Sequence, residues 1–296
     1  MGRHKVEALK NQDRRHFREK AMRLVFLLAA LTSILAVALI CIFLFANGLP
    51  AIGKIGVFSF LLGEKWKPLN DIFGIFPMIV GSLYVTAGAI IVGVPIAILC
   101  AVFMSKFCPR WLYRIIKPGI NLMAGIPSIV YGFFGLVVMV PIMQDLFGGS
   151  GKSMLTASLL LGIMILPTVI GVAESAINAV PQFYYEGALA LGATHERSVF
   201  TVMLPAAKSG IMAGVILGIG RAIGETMAVI MVAGNQPVIP SGILRGVRTL
   251  TTNIVMEMGY AGEGMHRQAL IATAVVLFIF ILIINLSFSL LKRRSR

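Results

Sequence analysis

Acidic side chains are scarce in this chain: 12 Asp and Glu stand among 296 residues, and charged residues of both signs make up only 13%. A water-soluble domain carries about 25% charge. With 58% apolar residues and a mean hydropathy of +0.91, the chain is excluded from that class. Cysteine is nearly absent as well. Cys41 and Cys100 fall in apolar runs and Cys108 in a basic loop, which gives no disulfide framework and reads as three free thiols. His4, His16, His195 and His266 are scattered outside the apolar runs, and no His-Glu-x-x-His or Cys/His ligand spacing occurs. Neither a metal site nor a centre for covalent chemistry is expected.

What the chain has in abundance is uncharged length. Five stretches run without Asp, Glu, Lys or Arg for about the 20 residues that a bilayer crossing needs. A sixth, Ser209–Ala233, is interrupted only by Arg221 and Glu225. The expected spans are Leu24–Ala46, Gly81–Met104, Gly119–Met143, Met154–Val172, Ala207–Ala233 and Ala269–Leu291. The net charge of +14 follows this topology. Of 26 Lys and Arg, 18 fall on the side of the two termini, 7 on the other side, and Arg221 inside a span. The positive-inside rule then puts both termini in the cytoplasm, which requires an even number of crossings. The apolar run at Leu24 is longer than the 7–15 residues of a signal-peptide core and no Ala-x-Ala site follows it, so it is expected to stay as a first membrane helix.

The expected organisation is a basic cytoplasmic tail (1–23), the first helix (24–46), an extracytoplasmic or interfacial segment (47–80), a five-helix core (81–291) with a long cytoplasmic loop at 173–206, and a basic tail (292–296). Phe58, Phe60, Leu61, Leu62 and Trp66, interleaved with Lys65 and Lys67, read as an amphipathic surface segment with an interfacial Trp. Pro95, Pro127, Pro141 and Pro167 fall in the second to fourth spans, where kinks are expected. Gly148-Gly149-Ser150-Gly151-Lys152-Ser153 resembles the end of a phosphate-binding loop, but Leu146 stands where that pattern needs its first Gly. It reads as a turn between spans, and this chain is not expected to bind ATP.

The fifth span carries the most chemistry. Gly210, Gly214, Gly218, Arg221 and Glu225 fall at i, i+4, i+8, i+11 and i+15, a stripe about 80° wide at about 100° per residue. Glycines at this spacing let another helix approach closely. Arg221 and Glu225 then stand one turn apart near mid-span. One reading is that they neutralise each other as an i,i+4 pair. The other is that Arg221 is a fixed positive station for an anion crossing the membrane, tuned by Glu225. An Arg at the bilayer centre costs about 2.5–3.5 kcal/mol on insertion scales, and stability alone explains such a pair poorly, which favours the second reading. Thr226 follows the pair directly.

The 173–206 loop has its own helical pattern: Pro181, then Phe183-Tyr184-Tyr185-Glu186-Gly187-Ala188-Leu189, Gly192, and a closing Leu204-Pro205. A short helix, a Gly-allowed turn and a second helix make a knob suited to a partner's groove. Here the chain resembles the permeases of ABC importers, whose coupling loop runs Glu-Ala-Ala, three residues, Gly, nine residues, Ile-x-Leu-Pro. Glu186, Gly192, Val202, Leu204 and Pro205 are in register, with Ala188 in the third place. Gly187 replaces an Ala, and Val202 an Ile. Three further stretches, Phe73–Leu83, Ala124–Gly132 and Gly220–Val229 followed by Gly234-Asn235, resemble the phosphate-specific branch of that family. Met227-Ala228 after Thr226 favours its PstC-like over its PstA-like members.

The resemblance implies an all-α polytopic bundle of six transmembrane helices with the type I (MetI-like) importer fold. It implies a phosphate translocation pathway shared with a PstA-like second permease, a PstB-like ATPase dimer holding ATP and Mg, and a PstS-like extracytoplasmic phosphate-binding protein, in the inner membrane. It assigns Arg221, Glu225 and Thr226 to the pathway and Glu186, Gly187, Ala188, Gly192, Leu204 and Pro205 to ATPase coupling, while no cofactor is expected on this chain. Three rival classes stand beside it. A permease for sulfate, molybdate or an amino acid shares the loop without needing Arg221 and Glu225. A channel or secondary transporter explains the charged span but not the loop, and a membrane enzyme has no candidate centre.

Overall fold

The computed structural model describes the backbone of residues 2–294 and the side chains of residues 19–287. The chain begins with α1 (Gly2–Ile55) and α2 (Val57–Leu62), followed by a two-strand hairpin of β1 (Trp66–Lys67) and β2 (Ile72–Phe73). Then come α3 (Phe76–Val102), α4 (Arg110–Gly125), α5 (Ser128–Phe134), α6 (Val140–Phe147), α7 (Met154–Asn178), α8 (Gln182–Ala190), α9 (His195–Ser198), α10 (Leu204–Gly224), α11 (Met227–Val232), α12 (Leu250–Met258) and α13 (Met265–Arg294). Among the described residues, six helical stretches are long and apolar enough to cross a bilayer: Glu19–Ile55, Phe76–Phe107, Ser128–Phe147, Met154–Asn178, His195–Gly224 and Met265–Ser287. The all-α six-span class is therefore as expected.

Three of these stretches contain one π-helical turn each: Phe103–Phe107, Gly135–Met139 and Val199–Met203. Each ends two residues before a proline (Pro109, Pro141, Pro205). A proline removes an N–H from the ladder and its ring crowds the preceding turn. A wider turn just upstream absorbs that mismatch, so α5–α6 and α9–α10 each run on as one rod.

Several boundaries differ from the sequence expectation. The third span starts at Ser128 rather than Gly119, because Ile126 before Pro127 is forced into extended geometry (φ −69°, ψ 125°), ending α4 at Gly125. The fourth continues past Val172 to Asn178, and α1 runs beyond Ala46 to Ile55. The helix leading into the fifth span begins at His195, so the inter-span loop narrows from 173–206 to 179–194, with α8 inside it. Trp66 does not lie on the surface of its segment. It is 6% exposed, held by pairing with Phe73 across the hairpin and by edge contacts to the Phe73 and His266 rings. The Gly148–Ser153 stretch is a turn with Gly148, Gly149 and Gly151 at positive φ, and Ser153 Oγ accepts from Thr156 N to cap α7.

Three helices form the centre. α3 and α7 run parallel at glycine contacts: a Cβ on Gly93 would stand 2.7 Å from the Gly162 carbonyl oxygen. α10 packs antiparallel on α7 through Gly210 against Ala176, Gly214 against Val172, and Gly218 against Val169. Small residues let backbones approach where lipid supplies no hydrophobic drive between helices. Val85, Leu160, Leu161, Met164 and Val229 fill one part of the core, Ile170, Ile177, Val199, Ile211 and Ile219 the part nearer α8, and Phe60, Ile75, Met78, Leu250 and Leu270 a third.

At that second end α4 is fastened to α7. Glu174, 2% exposed, accepts from the Tyr113 hydroxyl at 2.6 Å and pairs with the Lys117 ammonium. The bond to Glu174 pushes the Tyr113 pKa up.

Two outcomes follow for the purified protein's thermal melt. Gly93→Val should lower stability by about 1–3 kcal/mol, the usual cost of overpacking; an unchanged melt would contradict the close crossing of α3 and α7. Lys117→Met, which strands a buried carboxylate, should cost about 3 kcal/mol, and more than Glu174→Gln, which leaves Lys117 able to reach water. The reverse order would contradict the pairing.

Candidate functional site

The fifth-span residues come together around a break in the helix. α10 ends at Gly224, Glu225 is extended (φ −70°, ψ 129°), and α11 starts at Met227 with Thr226 at its N-cap position. The continuous span expected over Ala207–Ala233 is therefore two helices. The Glu225 carboxylate turns to the second of them: Oε1 accepts from Thr226 N at 3.2 Å and from Ala228 N at 3.3 Å. An anionic group at the first turn of a helix satisfies donors that have no partner within it. Thr251 Oγ donates to the Glu225 carbonyl at 3.2 Å, and Thr226 Oγ to the Gly224 carbonyl at 3.2 Å, so the kink is held from both sides.

This overturns the i,i+4 pairing of Arg221 with Glu225. Among the described residues no ion pair joins them. Once Glu225 leaves helical geometry it no longer stacks one turn above Arg221, and its Oε1 is committed to backbone.

Arg221 is half-buried. Among the described residues its guanidinium makes one hydrogen bond, Nη1 to Thr168 Oγ at 3.2 Å. Thr168 lies close to the midpoint of α7 (Met154–Asn178), so the charge sits at mid-depth of the bundle. Side chains on a helix lean toward its N-terminus, which aims Arg221 back along α10 to Thr168 rather than forward to Glu225. Tyr131 on α5 is 7% exposed and donates to the Met123 carbonyl at 2.9 Å. Among the described residues the cation is thus bonded to a hydroxyl and paired with no carboxylate.

Gly210, Gly214 and Gly218 share the α10 face that meets α7, which brings Arg221 within reach of Thr168. The loop residues stand apart at the other end. Glu186, Gly187 and Ala188 lie on α8, where Glu186 accepts from Gln182 Nε2 at 2.9 Å. Gly192 turns the chain at φ 84°. Leu204-Pro205 do not end a second short helix; they open α10, which the π turn joins to α9. Phe183 is 65% and Leu191 91% exposed. Tyr185 and His195 Nδ1, 2.7 Å apart, tie α8 to α9.

Sequence reading missed Thr168, Tyr131, Thr251 and the Glu174 cluster. Hydroxyl residues inside apolar runs carry no period of their own, so Thr168 had no signal. Glu174 did: Ile170, Ala173 and Ile177 continue the buried face of α7 through it. Among the described residues no group of His, Cys, Asp or Glu could hold a metal ion.

Residues 93–296 match the family described as "Binding-protein-dependent transport system inner membrane component". The chain is 36% identical over 287 residues to the "Probable ABC transporter permease protein YqgH" of Bacillus subtilis (strain 168), covering 94% of this chain and 93% of that one. It is 34% identical over 276 residues to the "Phosphate transport system permease protein PstC" of Mesorhizobium japonicum, covering 86% and 84%. A solved inward-facing MetNI methionine ABC transporter shares the fold at 19% identity, with a TM-score of 0.57 over 75% of this chain and 94% of that one. A bacterial alginate ABC transporter does so at 15% identity, with a TM-score of 0.58 over 89% and 95%. The chain belongs to the binding-protein-dependent transport system inner membrane components, among the PstC-like permeases.

Proposed function

We propose that this chain is one of two permease subunits of an ATP-driven phosphate importer, and that Arg221 is the cation its pathway presents to phosphate. The observation that carries this is the Arg221 guanidinium, at mid-depth with, among the described residues, a single neutral hydrogen-bond partner. Buried charges are ordinarily paired, and an ionisable group within a membrane protein marks a path or a site. The planar fork of an Arg suits two oxygens of an oxyanion better than a Lys does. The break at Glu225 fits the same use, because interrupted membrane helices expose polar backbone where a solute must pass. Glu225 Oε1 serves α11, leaving Oε2 as the acceptor for a protonated phosphate oxygen, which sulfate at neutral pH cannot supply. Thr226 lines the same break.

The names of the relatives support phosphate as the solute. The partners on this reading are a PstA-like permease, a PstB-like ATPase dimer that binds ATP and Mg, and a PstS-like phosphate-binding protein outside the membrane. The excess of Lys and Arg on the side of the termini puts both in the cytoplasm, and α8 with them. There the exposed aromatic and leucine side chains beside Glu186, Gly187 and Ala188 would seat in the ATPase, so that ATP-driven closure of that dimer opens the pathway outward. Gly192 supplies the turn, and Leu204-Pro205 pass the motion into α10.

In proteoliposomes holding the assembled complex, Arg221→Gln should reduce ATP-dependent phosphate uptake by about 100-fold or more, with Arg221→Lys intermediate because it keeps charge but not the fork. Uptake at the wild-type rate in Arg221→Gln would contradict the assignment. Glu225→Gln keeps an oxygen for the α11 N–H groups and removes the charge. It should narrow the preference for phosphate over sulfate without lowering the melting temperature, and an unchanged preference would remove Glu225 from the recognition.

A further inference from the structure

Six hydroxyl residues of the membrane helices return their O–H to their own backbone, and Thr168 does not. Thr32, Ser33, Ser175, Thr201, Thr273 and Ser287 each donate to the carbonyl four residues earlier. That is the default for a hydroxyl with no better partner in an apolar setting. Thr168 makes no such bond. Its Oγ accepts from Arg221 Nη1 at 3.2 Å, and among the described residues its own O–H hydrogen has no acceptor. Thr168 is half-buried, as Arg221 is, so this hydroxyl is turned from its own helix toward the space beside the guanidinium.

We infer that Thr168 is the positioning residue of the anion site: it fixes the Arg221 fork and adds its O–H as a further donor to the same oxyanion. The inference rests on the reading of Arg221 as the phosphate-facing cation. The chemistry favours Thr over the other residues that could hold an Arg. An Asp or Glu at this place would neutralise the guanidinium and compete with the arriving anion. A hydroxyl takes one N–H and leaves the positive charge whole. One fixed bond restricts rotation of the long side chain, so less ordering is needed when the anion arrives. The glycine face makes this possible, since Gly214 and Gly218 bring α10 onto Val172 and Val169, the neighbours of Thr168 along α7. The result is a hydroxyl and a guanidinium from two helices converging on one oxyanion.

The test uses the complete complex of this chain with its second permease, ATPase and binding protein in proteoliposomes, with inorganic phosphate and ATP saturating. Thr168→Val and Thr168→Ala, which lack the hydroxyl, should lower phosphate uptake by about 10-fold, the scale of one lost hydrogen bond to a charged group. Thr168→Ser should stay within about two-fold of the wild type. ATP hydrolysis should persist in the first two, so the ATP consumed per phosphate delivered rises. A packing role alone would lower the melting temperature, or reduce hydrolysis and uptake together, and either result without a change in that ratio overturns the proposal. So does a Val or Ala variant that transports like the Ser variant. Arg221→Gln run alongside separates the two levels. If it transports normally, the reading of Arg221 fails; if it is inactive while Thr168→Val is normal, only the role of Thr168 fails.

Discussion

An ionised guanidinium inside a membrane bundle needs either a counter-charge or water, and among the described residues no carboxylate pairs with Arg221. Its one bond is to a neutral hydroxyl, and the carboxylate nearest in sequence is bound to backbone N–H groups. The cost of holding the charge there is about 2.5 kcal/mol even on lenient scales. A bundle that only had to be stable would place Leu or Met at position 221. On the proposed reading, in which the charge is kept for a passing anion, the helix break, the glycine face and the Thr168 hydroxyl gain a reason.

The device that presents the charge depends on how closely the central helices approach. Gly210, Gly214 and Gly218 set α10 against α7, and Gly93 with Gly162 sets α3 against α7 on another side. α7 is therefore gripped from two directions, and it carries Thr168 at its middle and Glu174 near its end. Through Glu174 it holds α4 by Tyr113 and Lys117, and four residues after Glu174 it gives way to the segment bearing α8. α8 thus follows directly on the packed and hydrogen-bonded helix that carries Thr168.

Much of this was legible in the residues. Uncharged length gave six spans, and four-residue glycine spacing gave the packing face of α10. What stayed hidden was the break at Glu225. Ala228, Val229 and Val232 continue the buried pattern of the span, so hydrophobic period reads straight through a discontinuity. The break is fixed instead by contacts distant in sequence, such as Thr251 to the Glu225 carbonyl, which no local pattern reports. Trp66 was misplaced for a related reason. An aromatic beside lysines looks interfacial until a hairpin and the His266 ring enclose it. Glu174 reads as a loop residue on charge alone, whereas burial with two partners lets the helix continue.

The most direct measurement is a structure of the assembled transporter trapped during turnover with phosphate in the membrane pathway. Density for the anion should lie within hydrogen-bond distance of the Arg221 guanidinium, beside the break between α10 and α11. Phosphate resting elsewhere in the pathway, with Arg221 paired to a carboxylate of the second permease, would contradict it.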